Sequence, residues 1–200
     1  MRVLNSWFFD VMETISNFFL LNILWILFSL PIVTIFPSTT AMFAIIRDWK
    51  IGKNRNLFSS FTTYFKQYFQ QSFSIGFIFI ICVGIIFLDF LFIDELSTFM
   101  RVLVFSLLLM IGFIQLFISI YLFPIMVHFE LPLKTILKNA LFYSFMYFPT
   151  TLLSILFIAA IGLLLFLIPI FSIIAFSVTA YTIHLLCYRQ FNKTVARQAT

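Results

Sequence analysis

Few residues in this chain are of types that do chemistry. Among 200 residues there are two His, two Cys and seven Asp or Glu, and their spacing argues against most reactions. Cys82 and Cys187 lie far apart inside apolar segments, with no Cys or His at metal-ligand spacing. Neither a disulfide framework nor a zinc site is expected from them. No Gly-rich loop ends in Lys-Ser or Lys-Thr, and neither His-Glu-x-x-His nor Gly-x-Ser-x-Gly occurs. The chain is therefore expected to be non-enzymatic, with no catalytic, cofactor-binding or metal-binding residues and no cofactor. The Glu-Ala-Ala stretch of an ABC permease has no counterpart, which disfavours a permease subunit.

What remains is a set of polar side chains within long apolar runs, where such groups are costly and often functional. Asn22 lies inside the first run and Gln115 near the middle of the third. Neither reaches a headgroup region. Hydrogen bonds between helices, each worth about 1 kcal/mol or less, would satisfy them; the other reading is that they line a solute path. Asp89, His128, Glu130 and His184 fall close enough to the ends of their runs to reach water, and they read as anchors. A proton-coupled carrier would want a carboxylate at mid-membrane, and none of the seven acids lies there.

The elements that must position these groups are set by composition. The chain is 63% hydrophobic, 20% aromatic and only 10% charged, with 31 Phe, and its mean hydropathy is +1.14. A soluble domain carries about 25% charged residues, so this chain lacks the charge to cover its own surface. It reads as a single all-α integral membrane domain over residues 1–200. No leader with a small-residue cleavage site is visible near the start. A helix needs about 20 apolar residues to cross the hydrocarbon layer, and segments 72–92, 100–127, 150–168 and 169–188 meet that. The uncharged run 14–46 is too long for one span and slightly short for two. Pro31 and Pro37 divide it, and proline breaks a helix. The run reads as a broken hairpin: a helix to about Leu30, a bend, then a shorter helix from Ser38, which would cap it, to about Trp49. That gives six passes; one kinked span would give five.

Orientation follows the Lys/Arg distribution. Ten of the 12 basic residues fall in 47–66, 128–138 and the tail after 188, whereas 89–101 offers Asp89, Asp94 and Glu95 against Arg101 alone. The basic stretches are expected in the cytoplasm, with the C-terminus inside and, for a hairpin, the N-terminus inside too. Three segments read as amphipathic helices at that face. In 3–15, Val3, Leu4, Trp7, Phe8, Val11 and Ile15 oppose Arg2, Asp10 and Glu13. In 57–72, Phe58, Phe61, Phe65, Tyr68 and Phe69 recur at helical spacing. In 131–145, Leu133, Leu137, Ala140, Leu141 and Phe145 form one side. Their apolar faces suit the headgroup region and membrane lipid. Their polar faces, rich in Thr, Asn and Gln, suit a protein partner, with Thr63, Lys66, Gln67, Lys134 and Lys138 as the candidate docking residues. A weak internal duplication pairs 57–93 with 131–168, on a shared Lys and a shared Ser-Phe.

The stretch 21–49 carries Asn22 and Trp25 ahead of Leu30-Pro31, then Thr34 and Pro37. A basic step and the Phe-rich segment 58–73 with its Lys66 follow. This pattern resembles the opening signature of the YesL-like family, small integral membrane proteins of Gram-positive bacteria long filed as a domain of unknown function. The likeness covers roughly the first 75 residues; the rest matches in hydropathy and length. Phe36 stands where that family usually has Gly before the second Pro, which implies an altered bend. Family members are often encoded beside carbohydrate ABC importers and sugar-responsive two-component systems. The resemblance implies a multi-pass protein of a bacterial plasma membrane, accessory to carbohydrate uptake or its regulation, with importer subunits or a sensor kinase as partners. It carries over no site residues. The alternative is a small transporter or channel acting as a homodimer, with Asn22 and Gln115 lining a path. The lack of a membrane carboxylate, of a Gly-rich unwound span and of a long inverted repeat favours the accessory role. Nothing in the pattern suits nucleic acid.

Overall fold

The computed structural model describes residues 2–53, 56–92, 97–129 and 131–198, with side chains for 9, 11–53, 56–92, 97–129 and 131–192. Expectations resting on Arg2, Val3, Leu4, Trp7, Phe8, Asp10, Arg55, Asp94, Glu95, Glu130, Lys193 and Arg197 concern side chains outside that set. The described residues form seven α-helices and no strand: α1 (Arg2–Ser29), α2 (Ile35–Lys50), α3 (Leu57–Phe92), α4 (Thr98–Phe129), α5 (Leu133–Met146), α6 (Phe148–Leu167) and α7 (Ser172–Gln198). Five segments have the length and hydropathy to cross a membrane, namely Val11–Ser29, Leu57–Phe92, Thr98–Phe129, Phe148–Leu167 and Pro169–Asn192. The protein is a polytopic membrane helix bundle. Its long helices are exposed along their apolar faces, as at Phe77, Phe87, Phe113 and Leu163, which is the surface lipid requires.

The long uncharged run folds as a hairpin. The Trp25 indole N–H donates to Thr39 Oγ1 at 3.1 Å, and the Phe18 and Trp49 rings meet at 5.3 Å. Residues ascending in α1 therefore meet residues descending in α2, so the two helices are antiparallel. The bend is a 3-10 turn, Ile32–Thr34. There the Thr34 hydroxyl approaches the Phe28 carbonyl at 2.6 Å and the Pro31 carbonyl at 2.7 Å. This engages a carbonyl in the last turn of α1 that has no partner within its own helix.

Two details of the bend differ from the sequence reading. Helix α2 begins at Ile35, with Thr34 as its N-cap residue, so Ser38 is not the cap. It lies inside the helix and is fully buried. Pro37 is likewise not ahead of α2 but its third residue, where the missing N–H would have had no helical partner. Only Pro31 sits in the bend itself. At 16 residues, α2 is about 24 Å long, short of the roughly 30 Å hydrocarbon layer. Its middle is apolar all round, with Ala41 to Ile46 buried without interruption, and α1, α3, α4 and α7 surround it. Helices of that pattern belong in a core.

The segment 57–72 is the first half of the unbroken 36-residue α3, because nothing between Leu57 and Phe92 interrupts the helix. Part of its apolar face meets protein, since Phe61, Tyr68 and Ser72 are buried. Helix α5 is separate and runs back along α4, with the Tyr121 and Tyr143 rings 6.1 Å apart and Phe117 and Phe145 5.7 Å apart. Its buried face is Ile136, Ala140, Tyr143 and Ser144, and Phe145 is exposed. Pro149, in the first turn of α6, ends α5 at Tyr147. Helices α6 and α7 are antiparallel neighbours joined by Gln190 Nε2 to Thr150 Oγ1 at 2.9 Å.

Candidate functional site

Asn22 has no exposed surface and both ends of its amide are engaged. Nδ2 donates to the Ser172 carbonyl at 2.8 Å, and Oδ1 accepts from the Ser177 backbone N–H at 3.2 Å. The Ser177 hydroxyl lies 3.0 Å from the Phe18 carbonyl. Together these bonds clamp the outgoing end of α1 to the first turns of α7. Gln115 Nε2 donates to the Phe79 carbonyl at 3.1 Å, tying α4 to α3. The two intramembrane amides therefore join different helix pairs.

The end of the bundle that carries the basic residues holds a denser polar group. Asp48 is nearly buried, with one carboxylate oxygen 3.3 Å from Arg47 Nη2. The other oxygen accepts from the Tyr64 hydroxyl. Arg47 Nη1 donates to the Val127 carbonyl, and its guanidinium carbon stands 5.7 Å from the Tyr64 ring centroid. One arginine thus holds α2, α3 and α4 together. Asp48 is the buried member of the pair, at 5% exposure against 19% for Arg47, so removing the arginine would strand a buried carboxylate. Each carboxylate oxygen has one partner, on α2 and on α3, so the group ties helices together.

Deeper in the bundle, Thr40 Oγ1 and Ser72 Oγ share a hydrogen bond of 2.7 Å, and both approach the Met126 sulfur, at 3.6 and 3.3 Å. His184 departs from the sequence reading. Instead of reaching water as an anchor it is fully buried, with neither ring nitrogen hydrogen-bonded among the described residues. Its ring lies 6.3 Å from Phe43 and 6.0 Å from Tyr188. His128 is half-buried and packs on Phe129, Tyr188 and Phe191. Asp89 is exposed near the far end of α3. Sequence reasoning passed over Asp48, Tyr64, Thr40 and Ser72. Arg47-Asp48 at the end of an apolar helix was the available signal for the first two, but nothing local marks Thr40 or Ser72.

The candidate docking residues Thr63, Lys66, Gln67, Lys134 and Lys138 are treated alike by the fold, Thr63, Lys66 and Gln67 being exposed on α3 and both lysines exposed on α5. Gln71 Nε2 of α3 donates at 2.7 Å to the carbonyl of Leu131, two residues ahead of α5. Thr63, Gln67 and Gln71 lie four residues apart on one stripe of α3, so that stripe leads directly to the start of α5. Among the described residues no group of His, Cys, Asp and Glu could hold a metal ion.

Fold and site together define a helical, multi-pass membrane protein whose buried polar groups bind helix to helix. The chain is similar to the YesL-like family. Residues 18–90 match the family described as "Protein of unknown function, DUF624". Among curated relatives, the "Uncharacterized protein YesV" of Bacillus subtilis (strain 168) is 32% identical over 138 residues, which are 67% of this chain and 66% of that protein. The "Uncharacterized protein YesL" of the same organism is 33% identical over 129 residues, 62% of this chain and 60% of that protein. The "Uncharacterized protein YteU", also from B. subtilis, is 29% identical over 161 residues, 78% of this chain and 72% of that protein. The chain thus spans just under two thirds of YesV and YesL. No solved structure matches it at a significant level.

Proposed function

We propose that this protein is a non-enzymatic accessory subunit of a membrane assembly, and that it works through the polar surface formed by the first half of α3 and by α5. The observation that carries this reading is the contrast between interior and surface. Asn22 has both amide ends engaged and Gln115 donates to a backbone carbonyl, whereas Lys66, Lys134 and Lys138 stay exposed on α3 and on α5, whose lead-in residue Leu131 accepts from Gln71 of α3. A solute path needs polar groups free to exchange partners; a docking surface needs them outside. Part of the basic character has simpler sources, in the orientation rule and in anionic lipid, worth about 1 kcal/mol per basic residue near the surface. The exposed Thr63 and Gln67 beside these lysines favour hydrogen bonding to a protein. The resemblance to proteins encoded beside carbohydrate importers makes a sugar importer, or the sensor kinase that regulates it, the partner of choice.

The test is affinity purification from native membranes of the parent and of a variant with Lys66→Gln, Lys134→Gln and Lys138→Gln. Arg47, Lys50 and Lys53 are kept to hold orientation. Recovery of membrane partners is expected to fall with expression unchanged. If the variant recovers every partner at parental levels, these helices are anchors and the docking reading is wrong. Uptake of a sugar by the pure protein in liposomes would favour the transporter instead.

A further inference from the structure

A pocket open on one side indents the bundle. A cavity of about 230 Å³ lies among α1, α2, α4, α6 and α7. An apolar cavity of about 150 Å³ stays dry and takes up benzene or xenon, and this one is half as large again. Its inner wall is made of Met42, Phe43, Ile120, Ala180 and Ile183, each less than a tenth exposed. Its other side is open, because Ile158 and Phe176 line the cavity and are also 41% and 36% exposed on the lipid-facing surface.

The polar atoms in the lining are engaged within the protein. The hydroxyls of Thr39, Ser119 and Thr179 lie 2.7 Å from the carbonyls of Ile35, Leu116 and Ala175 in their own helices. The Trp25 indole N–H donates to Thr39, while its ring stacks on Phe176 at 4.5 Å. A sugar or a water would therefore find no donor there, and a buried water needs two to four polar partners. No charged residue lines the space, so a free fatty acid would find nothing to hold its carboxylate. Left empty, the walls would forfeit dispersion contacts on one side, and the surrounding bilayer supplies apolar chains at the mouth.

We propose that this cavity is a binding site for one acyl chain of a bilayer phospholipid, which enters between Ile158 and Phe176 while its headgroup stays in the membrane. The inference is independent of the docking surface on α3 and α5.

The experiment uses the full chain in phosphatidylcholine vesicles doped with a phosphatidylcholine that carries a diazirine at the end of one acyl chain. After photolysis, adducts are mapped by mass spectrometry. Adducts are expected on Met42, Phe43 and Ile183, which lipid outside the bundle cannot touch, as well as on Leu163 and Phe166, which are 62% and 83% exposed. Ala180→Phe, which fills the cavity, should reduce the first group to background and leave the second unchanged. Should Ala180→Phe fail to fold, Thr179→Leu tests the same space from the same helix. Adducts confined to the exposed residues in the parent, or cavity adducts that survive a folded filling variant, would overturn the proposal.

Discussion

At the residue scale, the departure at Phe36 is explained by a glycine 40 positions away in sequence. A methyl group at Gly76 would stand 2.7 Å from the Phe36 ring and 3.1 Å from its Cβ. Phe36 cannot swing aside, because Phe79 and Phe123 each hold its ring at 5.8 Å. Gly76→Ala should therefore destabilise the protein even though alanine is the better helix former. Overpacking costs about 1–3 kcal/mol, against roughly 1 kcal/mol gained in propensity. The expected outcome is a lower melting temperature in detergent for Gly76→Ala. The same change should bring a smaller loss or none in a Phe36→Ala background, which is itself destabilised by the lost ring. A Gly76→Ala variant that melts at or above the parent would show that the contact is not tight. The large side chain at 36 was visible in the sequence; the small one that receives it was not, because a glycine inside a long apolar run carries no local sign of its neighbour. His184 was misread for the same reason. Its place near the end of an apolar run suggested water, but the packing of α7 against α2 buries it.

At the element scale, the bend between α1 and α2 rests on a hydroxyl as much as on proline. Thr34 serves the Phe28 carbonyl, and Thr34→Val would leave that half-buried acceptor unpaired at a cost of about 1–3 kcal/mol. Pro31, the proline in the bend itself, is exposed, so Pro31→Ala should cost at most about 1 kcal/mol, through the freer unfolded chain. Ranking the two variants by thermal unfolding decides the matter; a larger loss for Pro31→Ala would make proline the determinant. The existence of the hairpin was legible, because no charge and two prolines interrupt a run of that length. Its boundaries were not. Ser38 looked like a cap by residue type alone, whereas the chain re-enters the helix three residues earlier, through a 3-10 turn that leaves no local signature. Polarity also suggested a boundary near Ser72, but a change of surroundings does not end a helix when every residue across it tolerates helical geometry.

At the scale of the whole molecule, the pairing of α1 with α7 fixes a relation between the chain ends. Phe18 meets Tyr181, at 5.2 Å between rings, and Asn22 meets Ser172, so the helices are antiparallel and residues 2 and 198 leave the bundle at the same end. That end also holds the C-terminal turn of α2 with Arg47 and Lys50, while the bend at Ile32–Thr34 lies at the opposite one. With the basic end cytoplasmic by the orientation rule, both chain ends should be inside and the bend outside. The prediction is tested with single cysteines at Arg2→Cys, Ile32→Cys, Glu95→Cys and Thr200→Cys, each in a Cys82→Ala, Cys187→Ala background. Ile32 is preferred to Thr34 because it is 74% exposed and its apolar side chain, unlike the Thr34 hydroxyl, makes no hydrogen bond in the bend. A membrane-impermeant maleimide added to intact cells should label only the cysteines at 32 and 95, and those at 2 and 200 should react after lysis. Labelling at 2 from outside, with 200 protected, would separate the two ends across the membrane. A single kinked span would then replace the hairpin, and α1 could not lie antiparallel to α7.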